Sequence, residues 1–141
     1  MPKLLAIGAL SEATGVKVPT IRYYESVGLM PAAPRSEGNR RSYGDDAVRR
    51  LRFIRHAREL GFEVADIRQL LDLSDQPDRP CEDVDAIAQR HLVEINSRIR
   101  RLKALKVEVT RMIGECSKGR VAECRIINAL DHHEHCVHAR H

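Results

Sequence analysis

Cysteine and histidine are the side chains in this sequence whose types and spacing bear most directly on chemistry. Cys116 and Cys124 bound the stretch CSKGRVAEC, and Cys81 stands thirty-five residues before the first of them. The terminal run DHHEHCVHARH holds Cys136 with five of the seven histidines. Thiolate sulfur and imidazole nitrogen are the donors that soft and borderline metal ions take. Two thiols eight residues apart also have the reach for a disulfide, or could fill a core. No apolar run is long enough to span a membrane, and the opening MPKLLAIGAL turns polar too soon for a secretory signal. The chain is therefore expected to be cytoplasmic, where thiols stay reduced and a disulfide is disfavoured. The loop SKGRV is too polar to bury its flanking cysteines, so metal ligation carries most weight. In the tail, His132, His133, His135, Cys136 and His138 form an auxiliary set that completes the thiolate site, builds a second one, or stays a solvated end.

The elements that must position these residues read as helices. A chain of 141 residues supports one compact domain, or a small domain plus one extended element, and leaves little for a deep enzyme cleft. Aromatic residues make up 4% and charged residues 31%, which suits helices with exposed faces better than a sandwich or barrel. A net charge of +4 says little alone, but residues 17–58 hold ten Lys/Arg against four Asp/Glu. That local excess is the footprint of a nucleic-acid-binding module, with a solvated basic face as the alternative.

Along the chain, AIGALSEATGV places Ile7, Leu10 and Ala13 at helical spacing before Gly15, and KVPTIRYYESVGL follows with Pro19 in a first turn and Gly28 as a stop. Two short helices about a glycine turn predict a helix-turn-helix. MPAAPRSEGNRRSYG reads as a small hairpin or wing. DDAVRRLRFIRHARELGF predicts a helix capped by Asp45 or Asp46, with Val48, Leu51, Ile54 and Ala57 inward and Gly61 at its end. EVADIRQLLDL predicts another through Val64, Ile67, Leu70 and Leu71, and the two prolines of SDQPDRP break it. From Glu82 to Glu115 there is no proline, and Leu92, Ile95, Ile99, Leu102, Leu105, Val109 and Met112 recur at steps of three or four. This predicts one long amphipathic helix with a narrow coiled-coil stripe. The fold class is all-α with a small β wing.

The run from IGALSEATGVK through TIRYYE, GLMP, RSEGN, the R-x-Y of Arg41 to Tyr43, and FIRHARELGF resembles the amino-terminal winged helix of the MerR family of transcription regulators. The likeness extends over essentially the whole chain. It implies a winged helix-turn-helix DNA-binding domain at 1–75, a linker and antiparallel dimerisation helix at 76–115, a metal-binding loop with a short helix at 116–130, and the tail at 131–141. Lys17, Thr20 and Arg22 lie at the start of the second helix, where a recognition helix meets a major groove. Tyr23 and Tyr24 are adjacent and point to different faces, Tyr24 to the core and Tyr23 to DNA. Arg35, Arg41 and Tyr43 in the wing suit phosphate and sugar contacts. At Arg55 the resemblance implies a backbone contact. Arg40 stands where the family commonly has an aromatic, and its role is open.

Cys81 and Cys116 flank the long helix, so they lie roughly 50 Å apart along one chain. If two such helices pair antiparallel about a two-fold axis, Cys81 of one protomer comes beside Cys116 and Cys124 of the other. The resemblance points the same way, since metal-sensing members carry a loop between two cysteines here and take a residue from the other protomer. In copper-type sensors that residue is typically serine; here it is Cys81. A third thiolate favours a divalent ion such as cadmium, lead, zinc or mercury. The loop lacks the cysteine doublet and histidine of zinc-type members, which argues against a paired-zinc site, and its C-x7-C length matches the copper type. His56 and His91 read as surface or packing residues.

The function expected is that of a homodimeric regulator on a palindromic double-stranded promoter. A divalent metal ion as effector distorts the DNA for RNA polymerase. No membrane role is expected, and the sequence holds no nucleophile, base and oxyanion constellation for an enzyme. The alternatives are a copper(I)-responsive regulator of the same family, a thiol redox sensor, and a metal-buffering protein.

Overall fold

Short helices stopped by left-handed glycines build the first part of the protein. The computed structural model describes residues 4–32, 42–115 and 119–132. The chain divides into two units, residues 1–89 and 90–141. Helix α1 (Ile7–Thr14) ends at Gly15, whose φ of 76° lets its N–H turn back to the Ser11 carbonyl at 2.8 Å. Helix α2 (Val18–Ser26) carries proline in its first turn, where a missing N–H costs nothing, and stops before Gly28 at φ 80°. The Leu29 and Met30 N–H groups then both return to the Tyr24 carbonyl, at 2.9 and 3.2 Å.

Helix α3 (Asp45–Glu59) is preceded by Gly44 as N-cap, without a side-chain cap. Asp45 and Asp46, expected as caps, instead occupy its first turn, where their charge suits the positive helix end. Gly61 ends it at φ 86°, and helix α4 (Val64–Ser74) follows. The stripes predicted from spacing face a common core: Leu10, Ile21, Leu51, Ile54 and Ile67 are fully buried, joined by Tyr24, Leu29, Met30, Tyr43 and Leu71. Each such aliphatic side chain contributes roughly 2 kcal/mol by leaving water. The extended pairing among the described residues is one antiparallel bridge, Leu5 to Tyr43, with N–H to carbonyl distances of 2.7 and 2.8 Å. It joins residues thirty-eight apart; the expected hairpin itself, at 33–41, lies outside the described residues.

After the proline-containing connector, Cys81 accepts the Asp85 N–H at 2.9 Å on its carbonyl and so occupies the N-cap position of α5 (Glu82–Gly114). This helix runs 33 residues, about 50 Å, and opens with Glu82, Asp83 and Asp85 against its positive end. Leu92, Ile95, Ile99, Leu102, Leu105 and Val109 of the expected stripe are all a third or more exposed within the chain. A 3-10 turn (Val121–Glu123) and helix α6 (Arg125–Asp131) complete the second unit.

Two glycines make opposite predictions. A Cβ on Gly15 would stand 2.2 Å from Arg55 Nη1, in a backbone conformation that already costs a side chain about 1–2 kcal/mol. Gly8, inside α1, has nothing within 4 Å of its Cβ position. Gly15→Ala is expected to lower the thermal midpoint, and Gly8→Ala to raise or hold it by removing about 0.5–1 kcal/mol of backbone entropy cost. Parallel thermal melts by circular dichroism check both.

Candidate nucleic-acid interface and metal ligands

Because Ile21 and Tyr24 turn into the core, Pro19, Arg22, Tyr23 and Ser26 form the outer face of α2. Lys17 is the exposed N-cap, and Thr20 is half-buried at the border of that face. Tyr23 is 51% exposed and Tyr24 7%, the division that their adjacency requires. Lys17, Arg22 and Tyr23 thus present two cations and an aromatic ring at one helix, a composition suited to phosphate and base edges.

Several other arginines of the first unit are tied to backbone carbonyls. Arg52 Nη2 donates to the Ala13 carbonyl at 3.2 Å, and Arg55 Nη1 donates to the Thr14 carbonyl beside Gly15. Arg50 Nε donates to the Leu29 carbonyl at 2.6 Å, Arg58 Nη1 to the Phe62 carbonyl at 2.9 Å, and Arg68 Nη2 to the Val27 carbonyl. A carbonyl does not cancel the charge, so the positive field of the domain survives while the reach of these side chains is shortened. Arg55, assigned from the resemblance to a DNA backbone contact, also pairs with Glu59 at 3.0 Å, and it ties α3 to the turn between α1 and α2. Sequence spacing gave no hint of these ties, which join residues twenty-one to forty-one apart, Arg58 excepted.

Tyr43 departs from the wing contact expected of it. Its ring is 2% exposed, and its hydroxyl donates to Glu25 Oε1 on α2 at 2.7 Å. An aromatic ring next to a backbone bridge is drawn into the core because its area is worth more there than on phosphate, and Glu25 takes up its polar end. Arg35, Arg40 and Arg41 lie outside the described residues.

Of the three proposed thiol ligands, Cys81 is exposed at the N-cap of α5, and Cys124 is half-buried at the N-cap of α6, its carbonyl accepting the Asn128 N–H at 3.0 Å. The two belong to different units of the chain. Cys116 lies outside the described residues, as do His133, His135, Cys136 and His138. Among the described residues no three His, Cys, Asp or Glu side chains converge. His132 sets Nδ1 3.0 Å from the Asn128 carbonyl, leaving Nε2 as the outward nitrogen, and it lines a cleft with Arg111, Met112, Glu115 and Arg125. Arg111 grips Glu115 through two contacts at 3.0 and 3.2 Å and also donates to Glu108. Hydrogen bonds donated to Glu108 and then Glu115, with the negative charge of both carboxylates, hold the guanidinium above its ordinary pKa. This clasp, whose i,i+4 and i,i+3 spacing was visible in the sequence, secures the residue directly before Cys116.

Residues 5–74 match the family model described as the MerR HTH family regulatory protein, and residues 48–112 match that of MerR, DNA binding. The chain is 38% identical over 124 residues to the heavy metal-dependent transcription regulator 2 of Rhizobium meliloti (strain 1021), covering 88% of this chain and 84% of that one. The chain belongs to the MerR family. To the HTH-type transcriptional regulator ZntR of Escherichia coli (strain K12) it is 36% identical, over 89% of this chain and 91% of that one. Its fold is similar to the crystal structure of PbrR691 from Ralstonia metallidurans CH34 in complex with lead(II), with a TM-score of 0.76 and 37% identity over 89% of this chain and 98% of that one. Membership makes it a helix-turn-helix DNA-binding transcription regulator. Among the described residues no helix is long and apolar enough to cross a membrane.

The buried Tyr43 hydroxyl is a test of which role that residue has. Tyr43→Phe is expected to cost about 1 kcal/mol of stability while leaving DNA affinity unchanged well below the thermal midpoint. Weaker DNA binding with stability intact would instead mark a lost DNA contact.

Proposed function

We propose that this MerR-family protein is a cytoplasmic metal-responsive regulator, a homodimer that activates a palindromic promoter when its thiols take up a divalent soft or borderline ion, with cadmium, lead or zinc foremost and mercury next. The observation that carries this reading is α5. It has a thiol at its N-cap, a pair of cysteines past its last turn, and between them an apolar stripe that the chain leaves exposed. A helix so long and so incompletely covered gains most by pairing with a second copy. Antiparallel pairing brings Cys81 of one protomer beside Cys116 and Cys124 of the other.

The residues fit such an ion. Cys81 and Cys124 each stand at the N-cap of a helix, Cys81 exposed and Cys124 half-buried. Three thiolates suit a soft divalent cation, whose bonds to sulfur would order the loop at 116–124. His132 offers Nε2 nearby as an auxiliary donor, with His133, His135, Cys136 and His138 following it. The similarity to a heavy metal-dependent regulator and to a protein solved with lead(II) supports the same effector class. On the DNA side, Lys17, Thr20, Arg22 and Tyr23 read and grip the duplex from α2, and Arg35 and Arg41 hold phosphates from the wing. Arg55 adds a phosphate contact at the turn through the part of its guanidinium that Thr14 and Glu59 leave exposed. The division at 1–75, 76–115, 116–130 and 131–141 then separates DNA reading, pairing, sensing and the tail. Ligation at the end of α5 biases a two-state packing that bends and untwists the promoter for RNA polymerase.

In vitro transcription from the promoter of its own gene, under anaerobic reducing conditions, tests the reading with cadmium, lead, zinc, mercury and copper(I). Activation by a divalent ion is expected, with Cys81→Ser abolishing most of the response while DNA affinity holds. Response to copper(I) alone, or to oxidant without metal, overturns it. Ile99→Asp, within the exposed stripe, is expected to convert the dimer to monomer at micromolar concentration by analytical ultracentrifugation; a persisting dimer rules out α5 as the pairing element.

A further inference from the structure

Helix α2 is nine residues long, and its last carbonyls lie beyond the reach of its own backbone bonds. Two of the positions just past its end are gripped from different helices. Arg50, on α3, donates from Nε to the Leu29 carbonyl at 2.6 Å, and Arg68, on α4, donates from Nη2 to the Val27 carbonyl. A third tie is made where the Tyr43 hydroxyl donates to Glu25 at 2.7 Å. Arg68 differs from the other two residues in being exposed, where Arg50 is half-buried and Tyr43 buried. Its aliphatic stem therefore adds little to packing, and its guanidinium is a strut from α4 to the end of α2.

A rigid helix held only by its buried stripe keeps a soft degree of freedom, a roll about the axis of that stripe. Ile21 and Tyr24 supply the stripe of α2, and a roll about it would swing Arg22 and Tyr23 sideways across a groove. A bond from α4 to the Val27 carbonyl couples the end of α2 to a second element and so resists that roll. We infer that Arg68 is a positioning residue for sequence discrimination, setting the roll of α2 from α4 without itself touching DNA; the inference rests on the reading that α2 is the helix that reads the bases.

The inference makes a prediction that separates it from a structural role and from a phosphate contact. The full-length protein is used with two probes, a duplex selected from a random pool by the unaltered protein and a duplex of unrelated sequence. Arg68→Met is expected to lower affinity for the selected duplex about tenfold. Affinity for the unrelated duplex, the salt slope on both, and the thermal midpoint should stay close to their original values. Arg68→Lys, whose ammonium can still donate to the Val27 carbonyl, is expected to recover part of the discrimination. Equal losses on both duplexes with a salt slope smaller by about one would make Arg68 a phosphate contact and overturn the inference. So would unchanged discrimination in Arg68→Met, or a lowered midpoint with discrimination intact. Arg22→Ala serves as the control for the underlying reading: if it leaves discrimination unchanged, α2 is not the reading helix, and that outcome is recognised independently of the result at Arg68.

Discussion

Helices of eight or nine residues leave nearly as many carbonyls unbonded at their ends as they bond within, and the DNA-binding domain depends on how those carbonyls are met. Glycines in the left-handed region turn the chain so that some are met by following N–H groups. Arginines from α3 and α4 meet others, at Ala13, Thr14, Val27 and Leu29. A hydrogen bond from a charged donor is worth about 1.5–3 kcal/mol when sheltered and less where solvent competes. The larger consequence is geometric. The two helices of the helix-turn-helix are each held at the C-terminal end by a later element, so their mutual angle does not rest on the small core alone.

The same arginines explain why the basic character of the segment is both a structural and an electrostatic property. Guanidinium groups bonded to neutral carbonyls stay charged, and the positive field that attracts a duplex is kept. Arg22, on α2, and Lys17, at its N-cap, project from the surface instead. Tyr43 shows the reverse case, a residue of DNA-contacting type drawn inward by its apolar area and by the carboxylate of Glu25.

The second constraint is the apolar stripe of α5. Within one chain it remains exposed over about five turns, while the thiols stand at its beginning and beyond its end. In the proposed antiparallel dimer, covering the stripe also brings the thiols of two chains together. Pairing and metal response are therefore one geometric problem in the proposed mechanism, and the Arg111 clasp holds Glu115 at the end of α5.

Local pattern was enough to recognise the helices of the first unit, the stops at Gly15, Gly28 and Gly61, the inward stripes of α3 and α4, and the unbroken run of α5. Periodicity and glycine conformation act over a few residues, and a sequence displays them directly. The separation of Tyr23 from Tyr24 was legible for the same reason. What only the tertiary structure decided joins residues far apart: the Leu5 to Tyr43 bridge, the burial of Tyr43 on Glu25, and the arginine ties across twenty-one to forty-one residues. An arginine looks the same in a sequence whether it meets a carbonyl or a phosphate. The choice between them is made by which free carbonyl the fold happens to bring within about 3 Å of it.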